Sequence, residues 1–74
     1  MTKRKLPFDC MILDSEPVRV KNPFSGESCM LEPDEVAVYD CIMGAQYTNN
    51  YKIIQKGLDW FRKHNPQAYM TLLD

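Results

Sequence analysis

Asn22-Pro23-Phe24-Ser25-Gly26-Glu27, followed closely by Leu31-Glu32-Pro33-Asp34-Glu35-Val36, decides the fold of this chain. The first stretch reads as a turn, because Pro23 and Gly26 punctuate the backbone on either side of Phe24 and Ser25. Before it, Val18-Arg19-Val20-Lys21 alternates strictly, which puts both valines on one face of a strand and both cations on the other. After it, Ser28 to Leu31 forms a second short extended segment. The two segments predict a hairpin that offers Val18, Val20, Cys29 and Leu31 to the core. A polar turn functions without an aromatic ring, so Phe24 is expected to point inward, as a buried anchor fitted beside Gly57.

The second stretch is a helix start. Pro33 suits the first helical position, where a missing amide hydrogen costs nothing, and Asp34 and Glu35 set negative charge against the positive end of the helix dipole. Leu31 outside and Val36 inside have the spacing of a hydrophobic staple. Val36, Tyr39 and Met43, with Val38, Ile42 and Ala45 beside them, carry this helix to about Gln46; Gly44 marks fraying or close packing near its end. Thr48-Asn49-Asn50 is a polar turn in which either asparagine can cap a second helix, Tyr51 to His64. Tyr51, Ile54, Leu58 and Phe61 give that helix an apolar face, and it is expected to be the main donor to the core. Gly57 in its middle costs about 1 kcal/mol relative to alanine and therefore points to a close approach. Asn65-Pro66 caps and starts a last helix, whose apolar side is Tyr69, Leu72 and Leu73 and which must dock to persist. The resulting expectation is one α+β domain over residues 1–74, three helices with a short N-terminal β-hairpin packed against them and residues 1–8 as a flexible basic arm.

A domain of 74 residues buries only about 60% of the surface its unfolded chain exposes, which leaves little room for a deep cleft. The apolar fraction of 45% and charged fraction of 26% are those of a folded domain rather than a disordered one. Cys10, Cys29 and Cys41 are an odd number without C-x-x-C spacing, which suits neither a disulfide framework nor a zinc site, so three free, catalytically idle thiols are expected. The basic start Lys3-Arg4-Lys5 is followed by an apolar stretch broken at Asp9 and Asp14, unlike a signal peptide, and no segment has the roughly 20 apolar residues of a membrane span. A soluble, cytoplasmic protein without membrane contact is expected. The net charge of -1 is unevenly spread: residues 6–40 carry eight acidic side chains against two basic ones, whereas residues 41–74 carry four basic against two acidic.

No catalytic residue, metal site or cofactor is expected. Cys41 and His64 are the one nucleophilic pair that can be written down, but apolar neighbours around Cys41 would raise a thiol pKa, and no oxyanion hole is evident. The acidic groups Asp9, Asp14, Glu16 and Glu32, Asp34, Glu35 lack an EF-hand pattern and suffice as turn formers and helix-start charges. Nucleic-acid binding has more behind it. Lys52, Lys56, Arg62 and Lys63 lie on the second helix, and Lys3, Arg4 and Lys5 could serve as an arm. Asp59 interrupts that stripe at the spacing of an ion pair with Lys56, as on an ordinary solvated face. Among the aromatics, Phe61 belongs to the core, while Trp60, Tyr69 and Tyr47 are expected at an exposed rim of the kind that holds a protein partner.

The chain resembles a family of short proteins of marine T4-like cyanophages and related ocean metagenome sequences. The likeness lies in Asn22-Pro23-Phe24-Ser25-Gly26-Glu27, Leu31-Glu32-Pro33 with Val38-Tyr39-Asp40, Lys56-Gly57-Leu58-Asp59-Trp60-Phe61 and the ending Tyr69 to Asp74, and it spans roughly residues 18–74. It implies a small bacteriophage or host-infection accessory protein and transfers no functional residue. The expected function is non-enzymatic, by binding a protein partner or by self-association as a homo-oligomer. The alternative is a small nucleic-acid-binding protein that uses the second helix and the basic arm.

Overall fold

A computed structural model describes residues 5–73 of the chain. Two strands, β1 (Val18–Lys21) and β2 (Ser28–Leu31), pair antiparallel with Val18 opposite Leu31 and Val20 opposite Cys29. This register puts the four expected residues on the inner face and leaves Arg19, Lys21, Ser28 and Met30 outside. Helix α1 (Pro33–Tyr47) follows, then α2 (Tyr51–His64) and a short α3 (Pro66–Ala68) that continues as a π-helical turn over Tyr69–Leu73. The architecture is α+β, with the hairpin packed against the helices.

Local chemistry places each boundary. Glu32 is the N-cap of α1, with Pro33 in the first helical position, and its backbone N–H donates to Glu35 Oε1 at 2.8 Å. Leu31 and Val36, either side of that cap, are both buried as the staple requires. Between α1 and α2, Asn49 takes a left-handed backbone at φ 56°, which asparagine tolerates better than most residues. Asn50 caps α2 by accepting the Ile53 N–H on Oδ1 at 3.3 Å. Asn65 caps α3 in the same manner, accepting the Ala68 N–H at 3.2 Å.

The core is built chiefly by α1 rather than by α2. Val36, Ala37, Val38, Ile42 and Ala45 of α1 are buried, against Gly57, Trp60 and Phe61 of α2, and Tyr51, expected inside, lies exposed. The cause is position: α1 has the hairpin and α2 as neighbours, so an apolar arc of nearly half its circumference finds partners. Leu31, Ala68 and Leu72 close the cluster, and Leu6 and Phe8 pack against it from the N-terminal segment. The expected arm over residues 1–8 is therefore no arm across its described part, since Leu6 and Phe8 are drawn down by apolar burial and the Lys5 carbonyl accepts from Trp60 Nε1 at 2.7 Å. Lys3 and Arg4 lie outside the described residues.

The two helical glycines differ in what surrounds them. A Cβ at Gly57 would fall 2.6 Å from Ile42 Cδ1 and closer still to Ile42 Cγ1, so this glycine admits α1, not the Phe24 ring. A Cβ at Gly44 would meet nothing within 4 Å, so no close packing occurs there. Gly57→Ala is accordingly expected to destabilise by about 1–3 kcal/mol through overpacking against a fully buried, β-branched neighbour. Gly44→Ala is expected to stabilise by up to about 1 kcal/mol through helix propensity alone. Urea melts of the pair check both signs, and a shift of the same sign in both would contradict this packing.

Candidate functional site

The turn between the strands is organised by Asn22. Its backbone N–H donates to the Glu27 carbonyl at 2.7 Å, and its own carbonyl accepts the Gly26 N–H at 2.9 Å. Its side-chain Oδ1 accepts the Phe24 N–H at 2.9 Å and the Ser25 N–H at 3.4 Å, the bonding of an Asx turn. Gly26 supplies the left-handed residue that closes the loop, at φ 80°. The Asn22 Nδ2 group then donates to the Thr71 carbonyl at 3.0 Å, which joins the turn to the C-terminal π-helical segment across 49 positions of sequence. Every one of these bonds uses Asn22 as the hub, and none needs the Phe24 ring.

That ring points out. Phe24 is 98% exposed, so the expected buried anchor is overturned. The reason is that the place beside Gly57 is filled by Ile42, with Phe8 next nearest at 3.6 Å, while the turn satisfies its own backbone locally. Phe24 is itself part of the lining of a groove of about 270 Å³, together with Tyr39 and Met43 of α1 and Leu72 and Leu73 of the C-terminal segment. Asn22, Pro23 and Gln46 complete its lining among the described residues, none of them charged.

The three residues expected at an aromatic rim separate. Trp60 is only 6% exposed and belongs to the core, because its ring packs edge-on to Phe61 at 5.3 Å, lies 4.9 Å from the His64 ring, and has its N–H taken by Lys5. An amphipathic ring with a satisfied polar tip loses nothing by burial. Tyr69 is half-buried, with the Arg62 guanidinium 5.5 Å above its ring. Tyr47 is 91% exposed at the end of α1, one helical turn beyond Met43. Of the three, only Tyr47 is an exposed ring.

On the basic stripe, Lys52, Lys56 and Lys63 are exposed. Arg62 forms an ion pair with Asp59, which also accepts from Gln55 Nε2 at 3.1 Å, so the expected partner Lys56 gives way to Arg62. A guanidinium both paired and laid over Tyr69 is less available to a phosphate than the three lysines around it.

Cys10, Cys29 and Cys41 are all free thiols and partly buried. Burial pushes the Cys10 thiol up from its ordinary 9.0 to about 11, an effect added to by the Cys41 sulfur, which lies within hydrogen-bond reach. Burial likewise raises Cys29 and Tyr39. His64 faces Trp60, while Cys41 neighbours Cys10, so the described residues show no Cys41–His64 pair. Among the described residues no group of three or more His, Cys, Asp or Glu side chains could hold a metal ion, and no helix is long and apolar enough to cross a membrane.

Because these three acids are harder to ionise folded than unfolded, the stability they support is complete below pH 9.0 and is lost as pH rises through the folded value of Cys10, about 11. Urea midpoints taken at intervals between about pH 8 and about pH 11 should fall over this window, and a Cys10→Ser chain should lose less. A flat profile would contradict the burial of these thiols.

Comparison of the chain with protein-family models, with curated proteins and with solved structures gave no match.

Proposed function

We propose that this chain is a non-enzymatic accessory module that works by protein binding or self-association, in the phage or host-infection setting that its sequence resembles. The observation that carries the reading is the Phe24 ring, 98% exposed on a turn whose backbone is tied at Asn22. A lone exposed apolar side chain needs no explanation. A ring presented on a hydrogen-bonded turn, in a groove whose described lining is apolar or neutral, has the form of a binding anchor. A reducing, cytoplasmic setting fits three unpaired cysteines.

The alternative, nucleic-acid binding, draws support from the exposed Lys52, Lys56 and Lys63. The two readings respond oppositely to salt. Phosphate contacts release counterions, so titrations with duplex and single-stranded DNA at about 50 and about 200 mM salt would show a steep loss of affinity if the lysines were the working surface. The protein-binding reading expects no micromolar affinity for either strand form. It also expects retention of a protein by the immobilised chain, unaffected by nuclease and abolished by Phe24→Asp. Salt-steep nucleic-acid binding that survives Phe24→Asp would overturn it.

A further inference from the structure

We infer that Cys10 and Cys41 form a reversible redox site, a thiol pair that closes to a disulfide by exchange with a small disulfide of the glutathione type and so clamps the N-terminal segment onto α1, whatever partner the Phe24 face holds. Cys10 follows Phe8 by two residues, and Cys41 precedes Ile42 on α1. Two observations bring these stretches together. The Phe8 ring and the Ile42 side chain both border Gly57, at 3.6 Å and 2.6 Å from the place a Cβ would take there. The Cys10 and Cys41 thiols lie within hydrogen-bond reach of each other. A pairing across 31 positions of sequence is thus a property of the fold and not of the local chain.

Both thiols are only partly buried, and an open recess lined by Asp9, Cys10 and Met11 gives a small disulfide room to approach. Exchange then takes two displacements. The Cys41 thiolate attacks one sulfur of the small disulfide, whose S–S bond breaks and releases one thiolate. Cys10, deprotonated in turn, attacks the Cys41 sulfur of the mixed disulfide and expels the second. The two protein thiols give up two electrons and two protons, and the small disulfide leaves as two thiols. That order follows from burial, which pushes Cys10 up to about 11 and leaves little of its thiolate at neutral pH for attack on a molecule in solution. Attack on a sulfur already held at Cys41 is intramolecular and needs far less of it. The same high value makes Cys10 a poor leaving group, so the closed bond is slow to open there.

Cys29 supplies the internal comparison. It stands on β2, where its ionisable neighbours are Glu35 and Tyr39. In sequence, however, it is the nearest cysteine to each of the others, 19 positions from Cys10 and 12 from Cys41. Shorter loops close at lower entropic cost, so an unfolded chain favours bridges through Cys29. Only the folded chain favours the bridge from Cys10 to Cys41.

The test incubates the reduced whole chain with oxidised glutathione at about 1 mM and about pH 8, then alkylates the remaining thiols in denaturant. Digestion after glutamates puts the three cysteines on separate peptides, which mass spectrometry then maps. The expected result is a bridge from Cys10 to Cys41 beside an alkylated Cys29, with the internal disulfide exceeding mixed disulfides at least about tenfold. In about 8 M urea, bridges through Cys29 should dominate instead. Dithiothreitol should return three alkylated sites. The clamp is read at the Trp60 indole N–H, which the Lys5 carbonyl accepts and whose hydrogen exchange reports release of the N-terminal segment. Oxidation should slow that exchange at least about tenfold, and Cys10→Ser should abolish both the bridge and the slowing. Glutathione left on Cys10 or Cys41, native bridges through Cys29 or between chains, the same bridges in buffer as in urea, or indole exchange unchanged by oxidation would each overturn the inference.

Discussion

Trp60→Ala is expected to destabilise the chain by about 3–5 kcal/mol, the range for emptying the site of a large buried aromatic. Two losses combine in that figure. The ring fills space against Phe61 and His64, and its N–H meets the Lys5 carbonyl at 2.7 Å. Trp60→Phe separates them, because it keeps much of the volume and removes only the donor, with an expected cost of about 1 kcal/mol. For a domain of this size, total stability is on the order of 4–11 kcal/mol, so the alanine variant stands near unfolding. Its first symptom should be local. Once Trp60 is removed, residues 5–8 lose their hydrogen bond and part of the surface on which Leu6 and Phe8 rest, so limited proteolysis should cut there before the helices. Equal melting of Trp60→Ala and wild type would return Trp60 to the exposed rim.

Glu35→Ala is the second large effect, about 2–4 kcal/mol, to which hydrogen bonds to a charged acceptor contribute. Glu35 is a carboxylate only 3% exposed. Its Oε1 takes the Glu32 N–H at 2.8 Å, and its Oε2 takes Asn65 Nδ2 at 3.0 Å. Asn65 in turn caps α3 through its other side-chain atom. One carboxylate thus ties the start of α1 to the junction of α2 and α3. Glu35→Gln should fall between wild type and alanine, because its amide nitrogen would face the amide nitrogen of Asn65. A double-mutant cycle with Asn65→Ala should give a coupling of about 1–2 kcal/mol, and additivity within about 0.5 kcal/mol would show that the contact does not form.

The elements that local chemistry specifies were legible. Alternating valines gave the strand faces, Pro33 and Asn65-Pro66 gave the helix starts, and an asparagine cap gave the start of α2. What sequence could not supply was the choice among apolar residues competing for the same interior. Phe24 and Phe8 are equally apolar, yet only one place exists beside Gly57 and Ile42, and Phe8 is the ring that lies nearest it. The signal against an inward Phe24 was Asn22, whose side chain can bond the residue two places on and so complete the turn without help from the core. Trp60 misled for a related reason. A rim position looked natural until the backbone of residue 5 supplied a partner for its N–H, and a contact over 55 positions of sequence has no local signature. Glu35 read as a helix-start charge, which it is; its link to Asn65 depends on how three helices meet.

The proposal that the exposed Phe24 ring mediates self-association is tested most directly by isotope-filtered NMR. A sample mixed from ¹³C-labelled and unlabelled chains at about 1 mM reports only contacts between different copies. That proposal predicts intermolecular cross-peaks from the Phe24 ring protons. Dimers whose cross-peaks arise from other residues, or a labelled sample with none at all, would contradict it.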